Sequence, residues 1–339
     1  MTVYFDKENY INYLKVCTST PTGADTLRML KRQLSVHLNF NIKLLDDNEV
    51  VLHEEFQTDL HPEFKLTFGE NKITRPLKRD SFPSYSDIYL INDPEVSKIK
   101  DEHSILVGSL YEEIECLSKL FFIEDYSFHF EKLIGEHITP ENHLNILNLP
   151  FSSIVIIDRY MFKGPEVGGN LGLFTYNLEK ILTSIFRNKK GPSRLYFIYQ
   201  VRVDVRRESP LYDAGPDLKK MAKKIKKVVP NHCAAPDIFL IGVRYGIIDD
   251  EHDRYMISNY LRIKSGDAFL YFESTGKIRT DSLVVDHCSH GSRNYRKTTK
   301  ALVEKVSKII KEALSAGSMY CKTPSGISTD QVIELIKMI

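Results

Sequence analysis

Nowhere in its 339 residues does the chain hold a run of about eighteen apolar residues, the length a membrane-crossing helix needs. Its start, MTVYFDKENY, lacks the basic-then-apolar order of a secretory leader, so a cytoplasmic protein is expected. The five cysteines, Cys17, Cys116, Cys233, Cys288 and Cys321, form no CxxC pair and are odd in number. That pattern argues for reduced thiols and against a cysteine zinc centre. Neither GxGxxG nor GK[ST] occurs, and no internal repeat of domain-building period is visible. With 42% hydrophobic, 27% charged and 11% aromatic residues, the composition also excludes a disordered or collagenous chain.

What is present is enough chain for two domains, at roughly 100 to 200 residues each. A unit of about 150 residues buries about 70% of its unfolded surface, so neither disulfide nor metal is required for stability. The formal charge of +1 conceals an uneven distribution. Residues 91–150 carry twelve acids against four lysines, and residues 187–230 carry thirteen Lys/Arg against four acids. Such polarity marks either a basic binding face or two parts of one chain that attract and mask each other.

Periodicity gives an α/β alternation. A helical stripe runs through Leu27, Leu30, Leu34 and Leu38, and strand-like runs follow at Asn41–Leu45 and Glu49–Leu52; no chemistry is legible in the first ninety residues. IYLIN and SILVGS read as strands and Leu110–Phe122 as a helix with acids in its first turn. After Pro150 come the strand SSIVIID, a glycine-containing loop Gly164–Gly172, a helix Tyr176–Phe186 and the strand RLYFIYQVRV. A polar loop with Pro210, Gly215 and Pro216 leads to the helix DLKKMAKKIKKVV. Four strand-like runs then follow in quick succession: DIFLIGVR, HDRYMISNYLRI, DAFLYF and SLVVD. A helix Tyr295–Ala316 stops at Gly317, and the linker KTPSGIS precedes a short helix with Ser328 and Gln331 in capping-box spacing. The layout is that of an α/β sandwich with helices on the sheet faces.

Four groups of residues carry possible chemistry. If His252-Asp253-Arg254-Tyr255-Met256-Ile257-Ser258-Asn259 is a strand, His252 and Arg254 share a face about 7 Å apart, as a phosphate-binding pair does. The helix at 217–229 sets Leu218, Met221, Ala222, Ile225 and Val229 on one stripe and Lys219, Lys220, Lys223, Lys224, Lys226 and Lys227 on the other. With Arg202, Arg206 and Arg207 nearby, that face would attract nucleic acid first and anionic lipid second. Asp158 and Arg159 end a strand where α/β sites form, either as site support or as a purely structural ion pair. His290 follows Asp286, His287 and Cys288 in what reads as a polar turn; it could come near a phosphate site, and the cluster lacks the second half of a zinc site.

The spacing His252-x-Arg254-x4-Asn259 resembles the His-x-Lys-x4-Asp signature of the phospholipase D superfamily. It is closer to the degenerate phospholipase D-like domain at the C-terminus of MIT-domain proteins, which binds membranes and is not known as a catalyst. The resemblance covers about residues 150 to 316. It implies His252 as nucleophile, Arg254 as phosphoryl clamp and Asn259 in the place of the supporting acid. Arg254 stands for a lysine, Asn259 lacks the acid's charge, and one motif is present where catalysis uses two, so turnover would require a homodimer.

The expectation is therefore an N-terminal α/β region at 1–148, acidic at 91–148, then a phospholipase D-like α/β sandwich at 149–316, with a linker and helix at 317–339. Its leading function is binding of a phosphate-bearing polymer or surface without cofactor or metal. The alternative is a metal-independent phosphodiesterase or nuclease. A protein partner meeting the acidic segment is a third role, and a bacterial defence or mobile-element setting is a context that no residue specifies. An alternative reading pairs Arg254 with the neighbouring acids Asp249, Asp250, Glu251 and Asp253.

Overall fold

The computed structural model describes residues 2–6, 8–10, 12, 41–44, 66–67, 82, 87–113, 126–131, 150–158, 171–186, 189, 191, 193–201, 203–204, 209–210, 214–229, 234–244, 254–265, 269, 282–289, 293–315, 321–328 and 331–332. These residues form a mixed α/β protein with two principal sheets. Among them no helix is long and apolar enough to cross a membrane.

The first sheet is wholly parallel. It contains β1 (Thr2–Phe5), β2 (Asn41–Leu44), β3 (Leu66–Thr67), β4 (Ile88–Leu90) and β5 (Leu106–Gly108), in the order β3-β2-β1-β4-β5. Parallel neighbours require a crossover, and between β4 and β5 it is α1 (Val96–His103), which buries Val96 and Ile99. The sequence pattern does not show this helix, because only those two positions of its VSKIKDEH are apolar. α1 ends at Ser104, whose φ of 58° lies in the left-handed region. Tyr4, Tyr89, Ile91, Ile105 and Val107 close one face of the sheet with α1 and Phe82. The helix expected at Leu110–Phe122 begins as a capped turn: Ser109 and Glu112 exchange hydrogen bonds, and Glu113 N donates to Ser109 O at 3.0 Å. The rest of it, the helix expected through Leu27–Leu38 and the run Glu49–Leu52 lie outside the described residues.

The second sheet holds eight strands: β6 (Tyr126–Glu131), β7 (Ser153–Ile157), β8 (Arg194–Val201), β11 (Asp237–Arg244), β12 (Arg254–Ser258), β13 (Leu261–Ser265), β14 (Ser282–Ser289) and β15 (Cys321–Lys322). Their order is β15-β11-β8-β7-β12-β13-β14-β6. β7, β8 and β11 are parallel; β7-β12-β13-β14-β6 is antiparallel throughout. A separate ribbon pairs β9 (Val203–Asp204) with β10 (Ser209–Pro210). The central strands are apolar at successive positions because both faces are covered. Ile154, Ile156, Leu195, Phe197 and Leu240 pack under α2 (Leu171–Phe186) and α3 (Ala214–Val228). Val155, Ile157, Tyr196, Ile198 and Phe239 pack under α4 (Arg293–Ser315) through Leu302, Val306, Ile309 and Ile310.

Several boundaries differ from expectation. α2 starts five residues earlier than expected, at Leu171. Gly215 and Pro216 belong to the first turn of α3, where the missing proline N–H has no intrahelical acceptor to lose. HDRYMISNYLRI is two strands: β12 and β13 form a hairpin whose loop, Asn259-Tyr260, contains neither Gly nor Pro to signal it. SLVVD extends to Ser289, so Asp286, His287 and Cys288 are strand residues, and consecutive strand positions belong to opposite faces. Of DAFLYF only Phe269 is described, at a bend. The division at 148/149 also does not separate the sheets: β6 precedes it and pairs with β14, and β15, beyond 316, pairs with β11.

Candidate functional site

Because β7, β8 and β11 are parallel and β12 runs against them, Ile157, Val201 and Arg244 leave the second sheet at the edge where Arg254 enters it. Asp158 follows β7 at this edge. Its Oδ1 lies 3.6 Å from Arg254 Nε in a buried ion pair, and its Oδ2 accepts from Phe269 N at 3.1 Å. Arg254 is 5% exposed and Asp158 1%. The two charges were separate candidates in the sequence, and the structure brings them together. A guanidinium so enclosed offers little surface to an incoming phosphate.

Asn259 sits elsewhere. The register Tyr255↔Ile157 and Ser258↔Ile154 puts it at the opposite edge, roughly 15 Å along the strand from Arg254. There its Oδ1 accepts from Ser152 N (2.9 Å) and Ser153 N (3.3 Å), and its Nδ2 donates to Ser152 Oγ (2.9 Å). It ties the hairpin to the start of β7, so the supporting position implied by the phospholipase D resemblance is not assembled beside Arg254. His252, Arg159, Arg206, Arg207, His290, positions 164–170 of the glycine-containing loop and the acidic run 249–253 lie outside the described residues.

α3 presents the other candidate surface. Ala222, Ile225 and Val229 are buried, with Met221 and Val228 packed beside them. Opposite, Lys219, Lys223, Lys224, Lys226 and Lys227 are exposed. Among the described residues none of these five has an ion-pair or hydrogen-bond partner, unlike Lys100, which meets Glu113 at 2.5 Å. The side chain of Lys220 lies outside the described residues. The acids of 91–113 therefore do not mask this face. The first-sheet region meets the second sheet through Lys189, which donates to Ser104 Oγ, and through Tyr260, whose hydroxyl accepts from Leu106 N at 2.8 Å and donates to Asp87 O at 3.0 Å, among other contacts.

A polar lock absent from the sequence candidates sits at the C-terminal edge of the first sheet. β1 and β4 are neighbours whose onward connections diverge, a switch point of the kind that hosts ligands in doubly wound folds. The buried carboxylate of Asp6 accepts from Asn9 N (2.8 Å), Asn9 Nδ2 (2.9 Å) and Asn92 N (2.5 Å). Asn9 Oδ1 takes Leu110 N at 2.8 Å. These bonds clamp three strand ends to one another. The signal in the sequence was Phe5-Asp6-x-x-Asn9 directly after a short strand.

No protein-family model matches the chain, and no curated protein matches it. The functional reading rests on its residues.

Proposed function

We propose that this protein binds a phosphate-bearing polyanion, nucleic acid before anionic membrane, through the lysine face of α3. The observation that carries the reading is the set of five exposed lysines without a partner among the described residues, on a helix whose apolar side is fixed in the core. Ammonium groups brought close by a rigid scaffold release condensed counterions from a polyanion on contact. The supporting frame is read as a degenerate phospholipase D-like domain, on the motif around Arg254 and on a mixed sheet covered on both faces. Burial of Arg254 against Asp158 favours binding over turnover, since the cation a phosphoryl-transfer site would use is already engaged by a carboxylate.

Replacing Lys219, Lys223, Lys224 and Lys226 together by Glu should weaken binding to labelled nucleic acid more than tenfold and leave the unfolding midpoint nearly unchanged, because exposed charges contribute little to folding. Undiminished affinity in that variant would sink the reading.

A further inference from the structure

We infer that the ligand of the α3 face is a double-stranded nucleic acid held along its phosphate backbones with no reading of base sequence; this rests on the polyanion reading above. Charge density is the first ground. From Lys219 to Lys227 the helix rises about 12 Å, and it carries six lysines over that length. That is one positive charge per about 2 Å, close to the duplex value of one phosphate per about 1.7 Å and well above the one per about 3.4 Å of a single strand.

The second ground is the arrangement. Lys219, Lys223 and Lys226 form one row at i, i+4, i+7, and Lys224 and Lys227 form a second row beside it. Together they spread over an arc of roughly 160°, wide enough to meet phosphates of two strands and not of one alone. Ala222 and Ile225 hold the other side of the helix in the core, which turns the lysine rows outward.

The third ground is chemical. Residues 214–228 contain no aromatic, Arg, Asn or Gln. A single strand is held by stacking on aromatic side chains, and base edges are read by Arg forks and Asn or Gln amides; α3 supplies neither. Interfacial insertion into a bilayer needs an apolar face free to enter it, and here that face is already buried.

The test uses the full chain with a short DNA duplex, its separated single strand and phosphatidylserine vesicles, each across a salt titration. The expected result is duplex binding at least tenfold tighter than to the single strand or the vesicle, and unchanged when the duplex sequence is scrambled. The slope of log affinity against log salt should shrink by about 0.9 for each of Lys219, Lys223 and Lys227 changed to Gln. Equal or tighter single-strand or vesicle binding, or a clear preference for one duplex sequence, overturns the duplex inference and leaves polyanion binding standing. Absence of binding to all three probes, or affinity indifferent to the lysine changes, removes both.

Discussion

Asn259 holds two backbone N–H groups with one carbonyl oxygen and returns a hydrogen bond to Ser152 Oγ. An acceptor shared by two donors at a strand entrance is costly to lose, since a buried N–H left unpaired costs about 1 to 3 kcal/mol. Asn259→Ala is therefore expected to lower the unfolding free energy by about that amount. Asn259→Asp, which keeps the acceptor and restores the acid of the phospholipase D signature, should cost clearly less. Denaturant unfolding of both variants checks this; equal losses would mean that the carbonyl oxygen is not what matters. The same comparison addresses the catalytic alternative, because an acid at this edge remains far from Arg254 and should create no phosphodiesterase activity.

At the scale of elements, β1 shows how burial sets a titration. Tyr4 stacks on Tyr89 with ring centroids 4.7 Å apart, and Tyr10 packs edge-on against Phe5 at 5.7 Å. Burial, aided by the nearby Asp87 carboxylate, pushes the Tyr4 hydroxyl up to about 12, and burial alone does the same for Tyr10. Burial also raises Tyr196, on β8. An unfolded tyrosine ionises near 10, so above that pH the unfolded chain releases protons that the folded chain keeps. The stabilisation from these hydroxyls is complete below pH about 10 and is lost as pH rises toward about 12. Phenolate absorbance recorded alongside the unfolding midpoint should show this loss starting above pH about 10 and running together with ionisation. Ionisation of every tyrosine near 10 in the folded protein would contradict it.

At the scale of the molecule, the two sheets meet at the N-terminal ends of their parallel strands. Tyr260, at the tip of the β12–β13 hairpin, bonds the residue before β4 and the first residue of β5. Gly191, shortly before β8, lies so close to Asp101 O that a Cβ there would overlap it. The edges carrying Asp6 and Asp158 therefore point away from this junction. Tyr260→Phe strands a carbonyl and an N–H at the contact, so the unfolding free energy should fall by about 1 to 3 kcal/mol. Hydrogen exchange at the Leu106 amide should quicken in the same variant. A normal midpoint with slow Leu106 exchange would show that the hydroxyl does not join the sheets.

Elements with strong periodicity are legible in the chain's residues alone: the apolar stripes of α2, α3 and α4, the strands β7, β8 and β11, and the Ser328–Gln331 capping box, whose two reciprocal bonds are formed at 2.8 and 3.3 Å. Periodicity also separates the lysine side of α3 from its apolar side, because a helix of known pitch assigns faces without tertiary information. Pairing was decided only in three dimensions. Which carboxylate meets Arg254, which edge receives Asn259 and which strand accepts β6 depend on contacts between residues about a hundred or more positions apart, as Asp158 and Ser152 show. α1 stayed hidden for a related reason: its two apolar residues acquire meaning only beneath β4 and β5. Local patterning fixes what a segment becomes, whereas the partner of a buried charge is set by the register of strands brought together from distant parts of the chain.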